Sequence, residues 1–306
     1  MIFSILANIL LPVFVVAAIS ALAQRRLHLD VQSFSKAAFY VFSPAMVIDA
    51  LANSDVTAAE YGQLALGLIT TTLILWGMGE VAGRLLKLGK ATRAGFLVTM
   101  LLANTGNYGL PVNLFAFGQA GLARAALVVT VNSLMHSTLG VYIAASGRAT
   151  SARESLKRVL SVPVIYAAAI GVIINVTGLT LPEPILRAAN IMGQGLIPAA
   201  LIVLGAQMLS TLEAHRRSST KTGALVVVTV GRLILAPLIA YTVGGLIGLD
   251  GLARKVLTLE AATPSAVMSL VLATEFDTDA PFVALAVLTT TLVSVITVTG
   301  WLFRLM

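Results

Sequence analysis

The chain has 306 residues, 58% of them hydrophobic and only 11% charged, with a formal net charge of +7 and no cysteine. A soluble domain carries about 25% charged residues, so this composition cannot clothe a globular surface. The missing cysteines exclude disulfides, thiolate metal sites and cysteine nucleophiles. The basic residues sit in short gaps between long apolar blocks, which points to membrane topology and anionic lipid rather than to nucleic acid.

Ten blocks come near the roughly 20 residues that cross a bilayer. They are 2–23, 33–53, 61–84, 94–118, 121–145, 159–179, 184–211, 222–247, 252–275 and 281–303. Span 1 ends in Ala21-Leu22-Ala23, which resembles a signal-peptidase site. No positive charge precedes it and the run is longer than a signal h-region, so it reads as a retained span. Span 2 carries Asp49 near one end, beside Asn53 and Asp55, where it is as well read as solvated as functional. Span 3 ends in Glu80 and Arg84, an i, i+4 pair with a structural role.

Span 4 is the anomaly. "LLANTGNYGLPVNLFAFG" places Asn104, Thr105, Gly106, Asn107, Tyr108, Gly109 and Pro111 in the middle of an apolar segment. Lipid offers no hydrogen bonds, so irregular backbone survives at that depth only inside protein or beside water. The glycines weaken the helix, and Pro111 removes a donor and clashes with the carbonyl four residues back. Pro111 also suits the first turn of a new half-helix, whose positive end would favour an anion at the membrane centre. Span 5 places Asn132 and His136 on one face, as packing glue or as part of a polar pathway.

The polar stretch 146–158 divides the chain, giving a first half 1–145 and a second half 159–306. In span 7, Gln194 and Gln207 flank "IPAALIVLGA", and Gln207 is a site or packing candidate. Span 8 buries Arg232, and span 9 contains "EAATPSA", with Glu260 one turn before Pro264. Intramembrane ionisable groups are functional candidates. Arg232 could neutralise a substrate carboxylate, and Glu260 could carry a coupling proton or cation. The plainer reading is that the two pair with each other. Thr263 reads as an N-cap with Pro264 as the first helical position, so Thr263, Pro264 and Ser265 would face the span 4 break.

Fourteen of the twenty Lys and Arg residues fall in or at the edges of the gaps after spans 1, 3, 5 and 7, and five fall on the opposite side. The positive-inside rule then puts both termini outside and 146–158 in the cytoplasm. Three local similarities share nearly one offset. They pair position 12 with 163, 44 with 198 and Pro111 with Pro264. Five spans per half makes the second half inverted, and inverted repeats with interrupted helices mark secondary transporters. No HExxH, GxSxG or phosphate loop favours an enzyme. His28, His136 and His215 lie too far apart in sequence to suggest a metal site.

These residues resemble the auxin efflux carrier family of bacterial permeases and plant carriers. The likeness runs over "LPVFVVAAIS", "FSPAMVIDAL", "NTGNYGLP", "GLIPAALIVLGAQM" and "ATPSAVMSLVLATEFD". It implies an all-α membrane protein of ten helices in two inverted five-helix repeats, with broken crossing helices 4 and 9, the fold of bile-acid symporters. It also implies an elevator mechanism for small organic anions such as malate, malonate or auxin-like acids, in a bacterial inner membrane, and a homodimer through scaffold spans. By motif, Asn107, Pro111 and Pro264 match the crossover, with Asn104 beside it. The span 9 break lacks an asparagine, and Glu260 stands where apolar residues are expected. The resemblance therefore leaves proton or sodium coupling open and implies no other cofactor. A cation antiporter using Glu260 and a non-transporting membrane sensor are the competing functions.

Overall fold

The computed structural model describes residues 2–52, 54–145, 160–215, 221–249 and 251–306. The expected linker 146–158 lies outside the described residues. Among the described residues, seven helical stretches are long and apolar enough to cross a membrane: α1 (Ile2–Leu27), α2 (Val31–Ala52), α3 (Ala58–Leu85), α5 (Thr105–Ala144), α7 (Glu183–Leu209), α8 (Thr222–Leu246) and α11 (Ala280–Leu305). Four shorter helices complete the description: α4 (Lys90–Leu101), α6 (Pro163–Thr177), α9 (Gly251–Ala261) and α10 (Met268–Glu275).

The difference from ten blocks has local causes. The block 94–118 begins as α4, leaves the helix at Leu102 and resumes at Thr105. It then runs on into block 121–145, turning at Gly118, whose φ of 63° only glycine adopts freely. The block 252–275 is two short helices, α9 and α10, with irregular chain between them. Among the described residues the chain is helical apart from these interruptions and the short connections between helices, and it contains a single isolated β-bridge.

Packing buries the apolar stripes in three clusters. Val47 and Leu51 of α2 meet Val164 and Ala167 of α6. Leu10 and Val13 of α1 meet Leu201 and Leu204 of α7 and Leu302 of α11. Phe96 and Met100 of α4 meet Phe282 and Val283 of α11. Further contacts join α3 to α4, α8 to α9, α3 to α8 and α5 to α9. Large apolar side chains also cover the outside, among them Leu22, Val81 and Ile296, the last 76% exposed. Such a surface suits hydrocarbon and not water.

Polar groups collect at the helix ends. Arg124 of α5 donates to Glu60 at 2.6 Å and to Asp55 at 2.9 Å, tying the start of α3 to the turn at Gly118. Hydrogen bonding and charge from Arg124 hold the Asp55 carboxyl below the usual carboxylate range. Elsewhere Asp279 caps α11 and accepts from Lys221 at 2.9 Å and from Thr92 at 2.8 Å. Arg84 meets Glu80 at 3.8 Å, the pair expected along α3, and Arg93 shares the same carboxylate.

The α1–α7 contact is a close helix approach. A Cβ on Gly205 would lie 2.0 Å from the Ala17 carbonyl oxygen, so only glycine fits. Gly205→Ala should destabilise the protein by about 1–3 kcal/mol through overpacking. Gly62→Ala, with nothing within 4 Å of the added carbon, should be neutral or gain up to about 1 kcal/mol. Thermal unfolding of both variants in detergent checks the pair, and equal melting temperatures would contradict the packing account.

Candidate functional site

The two interruptions meet. Ala103 and Ser265 form an antiparallel bridge. The Asn104 amide donates to the Pro264 carbonyl at 2.8 Å, and the Ala266 amide to the Leu102 carbonyl at 2.8 Å. Two short extended segments thus satisfy each other's backbone where lipid could not. Pro264 contributes only its carbonyl to this pairing, so its missing N–H costs nothing there. Side chains from the neighbouring helices serve the outer edges. Asn132 of α5 donates to the Ala103 carbonyl at 3.0 Å, and Thr290 of α11 accepts from the Ser265 amide at 3.2 Å.

Four helix ends converge on this crossing. α4 and α9 arrive with their C-terminal carbonyls, and Arg232 meets both. Its guanidinium donates to the Met100 and Leu101 carbonyls of α4 and to the Ala261 carbonyl of α9. A cation at helix C-termini offsets their partial negative charge. Arg232 is 3% exposed, and among the described residues no ion pair joins it to Glu260. The expected Arg232–Glu260 pair is therefore absent, because Arg232 is spent on backbone.

Two helices also leave the crossing. α5 opens in a wide turn, with the Gly109 amide bonded to Asn104 O and the Leu110 amide to Thr105 O. The wide turn starts the half-helix at Thr105, six residues before Pro111, which instead sits in the first turn of the α-helical part. Pro111 has no N–H for Asn107 four residues back. α10 starts at Met268, later than Thr263. The Thr263 hydroxyl turns back to the Glu260 carbonyl at 2.7 Å, so it closes α9 and does not cap α10. The Ser265 hydroxyl donates to the Thr99 carbonyl at 2.7 Å.

A cavity of about 410 Å³ lies against the starts of both leaving helices. Asn104, Thr105, Gly106 and Asn107 line it from α5, and Ala266, Val267 and Met268 from the approach to α10. The first amides of a helix have no acceptor within it, so these two starts present donors. Asn132, Ser133 and His136 line another wall, and Ser35, Lys36, Ser43 and Gln207 complete the polar lining. Among the described residues no aspartate or glutamate lines it. Asn104 is 6% exposed and its Nδ2 lacks a partner. Asn132 Nδ2 donates to Thr105 Oγ1 at 2.8 Å and approaches His136 Nε2 at 3.1 Å, so it holds the turn as well as lining the cavity. Gln207 also borders a second cavity of about 410 Å³ beside Arg25 and His28.

The structure thus gathers Asn104, Thr105, Asn107, Asn132, His136 and Gln207 around one space. Thr263, Pro264 and Ser265 are spent in building the crossing, and Arg232 stands at the opposite helix ends. Tyr108 points away, its hydroxyl accepting from Ser294 at 3.1 Å. Asp49 accepts from Asn190 at 2.9 Å on another face of α2. Glu260 is fully buried, but its partner is Asn113, whose Nδ2 lies 2.8 Å from Oε1. Asn113 and Lys36 escaped the sequence reading. Asn113 stands one turn after Gly109 on α5, and that spacing was the available signal. Lys36 was counted only as a topological charge.

Long apolar spans and an apolar outer surface define an integral membrane protein. The chain belongs to the membrane transport protein family, that of the auxin efflux carriers, whose profile matches residues 5–302. It is 26% identical over 268 residues to an uncharacterized transporter of Methanocaldococcus jannaschii, covering 86% of this chain and 85% of that one. It is likewise 26% identical over 283 residues to one from Methanothermobacter thermautotrophicus, covering 89% and 88%. A Rhizobium meliloti protein named "Putative malonate transporter" is 23% identical over 274 residues, covering 86% and 83%.

Arg232→Met should be the most damaging single change at the crossing. It leaves three buried carbonyls unmet, at about 1–3 kcal/mol each. Arg232→Lys keeps the charge but not the fork, and should fall between the two. Thermal unfolding in detergent reads this order, and an Arg232→Met protein as stable as the parent would refute the capping role.

Proposed function

We propose that the protein carries small carboxylates across the membrane by alternating access. The carboxylate sits in the cavity against the starts of α5 and α10, held by their free amides and by Asn104 and Asn107. One observation carries this reading: two helix N-termini and an unpartnered, buried Asn104 amide share a cavity without acidic lining. Such a site favours an anion. Lys36 in the cavity and Arg25 beside the adjoining one would draw anions towards it. The volume suits a few-carbon acid, and the name of the Rhizobium relative adds malonate as the first substrate to try.

The finer architecture belongs to the same reading. The chain would form ten spans in two inverted five-helix repeats, with 94–118 and 252–275 as the broken, crossing fourth and ninth. Exchanging the halves turns the α1–α7 contact into α6–α2, α3–α4 into α8–α9, and α4–α11 into α9–α5, and each of these pairs is packed. Asn132 and Thr290 serve the two breaks from corresponding helices. The crossing would move as a unit against the other helices, in an inner membrane with both termini outside, as a homodimer. The competing function is cation exchange at Glu260, which has one hydrogen-bond partner and full burial in its favour.

Uptake of radiolabelled malonate, malate, succinate and indole-3-acetate into liposomes tests the proposal. One acid should be taken up, and Asn107→Ala should slow that uptake at least about tenfold, the effect of losing one charge-assisted hydrogen bond. Uptake unaffected by Asn107→Ala would remove the site. Sodium or proton exchange without any acid moving, lost in Glu260→Gln, would establish the antiporter instead.

A further inference from the structure

Behind the cavity, on the other side of the turn that forms it, lies a group the carboxylate site does not use. Glu260 ends α9 with 0% exposure. Its Oε1 accepts from Asn113 Nδ2 at 2.8 Å, and its Oε2 has no partner. Asn113 Oδ1 has none either. The carboxyl is pressed against the turn. A Cβ on Gly109 would lie 2.1 Å from Oε2, so glycine at 109 is what lets the two approach. Gly109 closes the wide turn whose opposite face presents Asn104 to Asn107 to the cavity.

Several charged groups on α9 and the elements packed against it are engaged elsewhere, and among the described residues Lys255, Arg304 and His136 make no ion pair with Glu260. Arg232 donates to three carbonyls. Tyr108 is bonded to Ser294, and Arg124 to Glu60 and Asp55. Arg254 of α9 itself stacks on Tyr241 of α8. On α3, Tyr61 meets Ser54, and Glu80 meets Arg84 and Arg93. A carboxylate taken out of water with one amide donor and no cation beside it is unstable as an anion. Metal ions need several oxygen ligands, and among the described residues no cluster of acidic or histidine side chains surrounds Glu260. A proton needs only one oxygen.

We infer that Glu260 holds a proton while the cavity holds its anion, so that the two bind and leave together. Resting on the carboxylate reading of the cavity, this adds the coupling. An ionised Glu260 and a bound carboxylate would face each other across one turn of backbone, where little water screens them. Each therefore favours the neutral form of the other's site. The coupling is reciprocal: protonation tightens anion binding, and anion binding draws in a proton. The proton comes from the aqueous phase and resides on Oε2, and Gly109 transmits the effect by position alone.

Malonate is the probe, added to the purified full chain in weakly buffered detergent solution near neutral pH, where malonate itself is ionised. Roughly one proton should be taken up per malonate bound. Malonate affinity should weaken by up to about tenfold per pH unit once Glu260 ionises. Glu260→Gln should bind malonate with no proton uptake and with the same affinity from about pH 6.5 to 8.5. Binding without proton uptake in the parent protein, uptake persisting in Glu260→Gln, or a dependence on sodium in place of pH would each overturn the coupling. Infrared difference spectra of the unliganded parent supply a readout that needs no anion. A protonated-carboxyl band that grows in as the pH is lowered and is missing from Glu260→Gln is expected, and its absence from the parent at every pH would overturn the inference by itself. No malonate binding at any pH, with that band present, would instead bring down the carboxylate reading and the coupling with it.

Discussion

Everything distinctive in this protein follows from backbone groups that have no water to meet. Two chain segments leave the helix in the interior, and each must find donors and acceptors nearby. They find them in each other, through the Asn104–Pro264 and Ala266–Leu102 bonds. The pairing in turn brings four helix ends to one place. Partial charges that lie far apart in an unbroken bundle are here concentrated in pairs, two negative ends on one side and two positive ends on the other.

The protein treats the two pairs differently, and that asymmetry makes a site. The C-terminal ends of α4 and α9 are closed by a resident cation, Arg232, which bonds carbonyls of both. The N-terminal starts of α5 and α10 meet no acidic side chain among the described residues. They border a cavity lined with asparagines, serines and a histidine and without carboxylates. Fixing the crossing therefore also sets the two helix starts against the cavity. Around it, α11 contributes Thr290 to one break and α5 contributes Asn132 to the other, so the surrounding helices hold the crossing as well as enclosing it.

Much of this was legible in the sequence, for physical reasons. Apolar block length marks helices in lipid, and a cluster such as Asn104 to Pro111 inside one marks backbone that must leave the helix. Two of the five stretches that carry the family likeness, "NTGNYGLP" and "ATPSAVMSLVLATEFD", contain the breaks themselves. Other features depend on geometry that spacing does not encode. Thr263 before Pro264 has the pattern of an N-cap, yet its hydroxyl turns back to Glu260 because α9 ends there. Pro111 and Pro264 looked like counterparts, but Pro264 lies in the extended pairing and Pro111 lies beyond a wide turn. A lone arginine in span 8 suggested a counter-ion for substrate or for Glu260. Nothing local revealed that carbonyls from two distant helices would meet it. Asn113 was overlooked because an asparagine one turn into a helix resembles packing glue. Its meaning appears only when α9 brings Glu260 against Gly109.

If anions bind at the helix starts and not at the buried arginine, a crystal structure with a brominated short dicarboxylate, located by anomalous scattering, will show a bromine peak inside the cavity, beside Asn104, Asn107 and Met268. A peak against the Arg232 guanidinium, with the cavity empty, would contradict that placement.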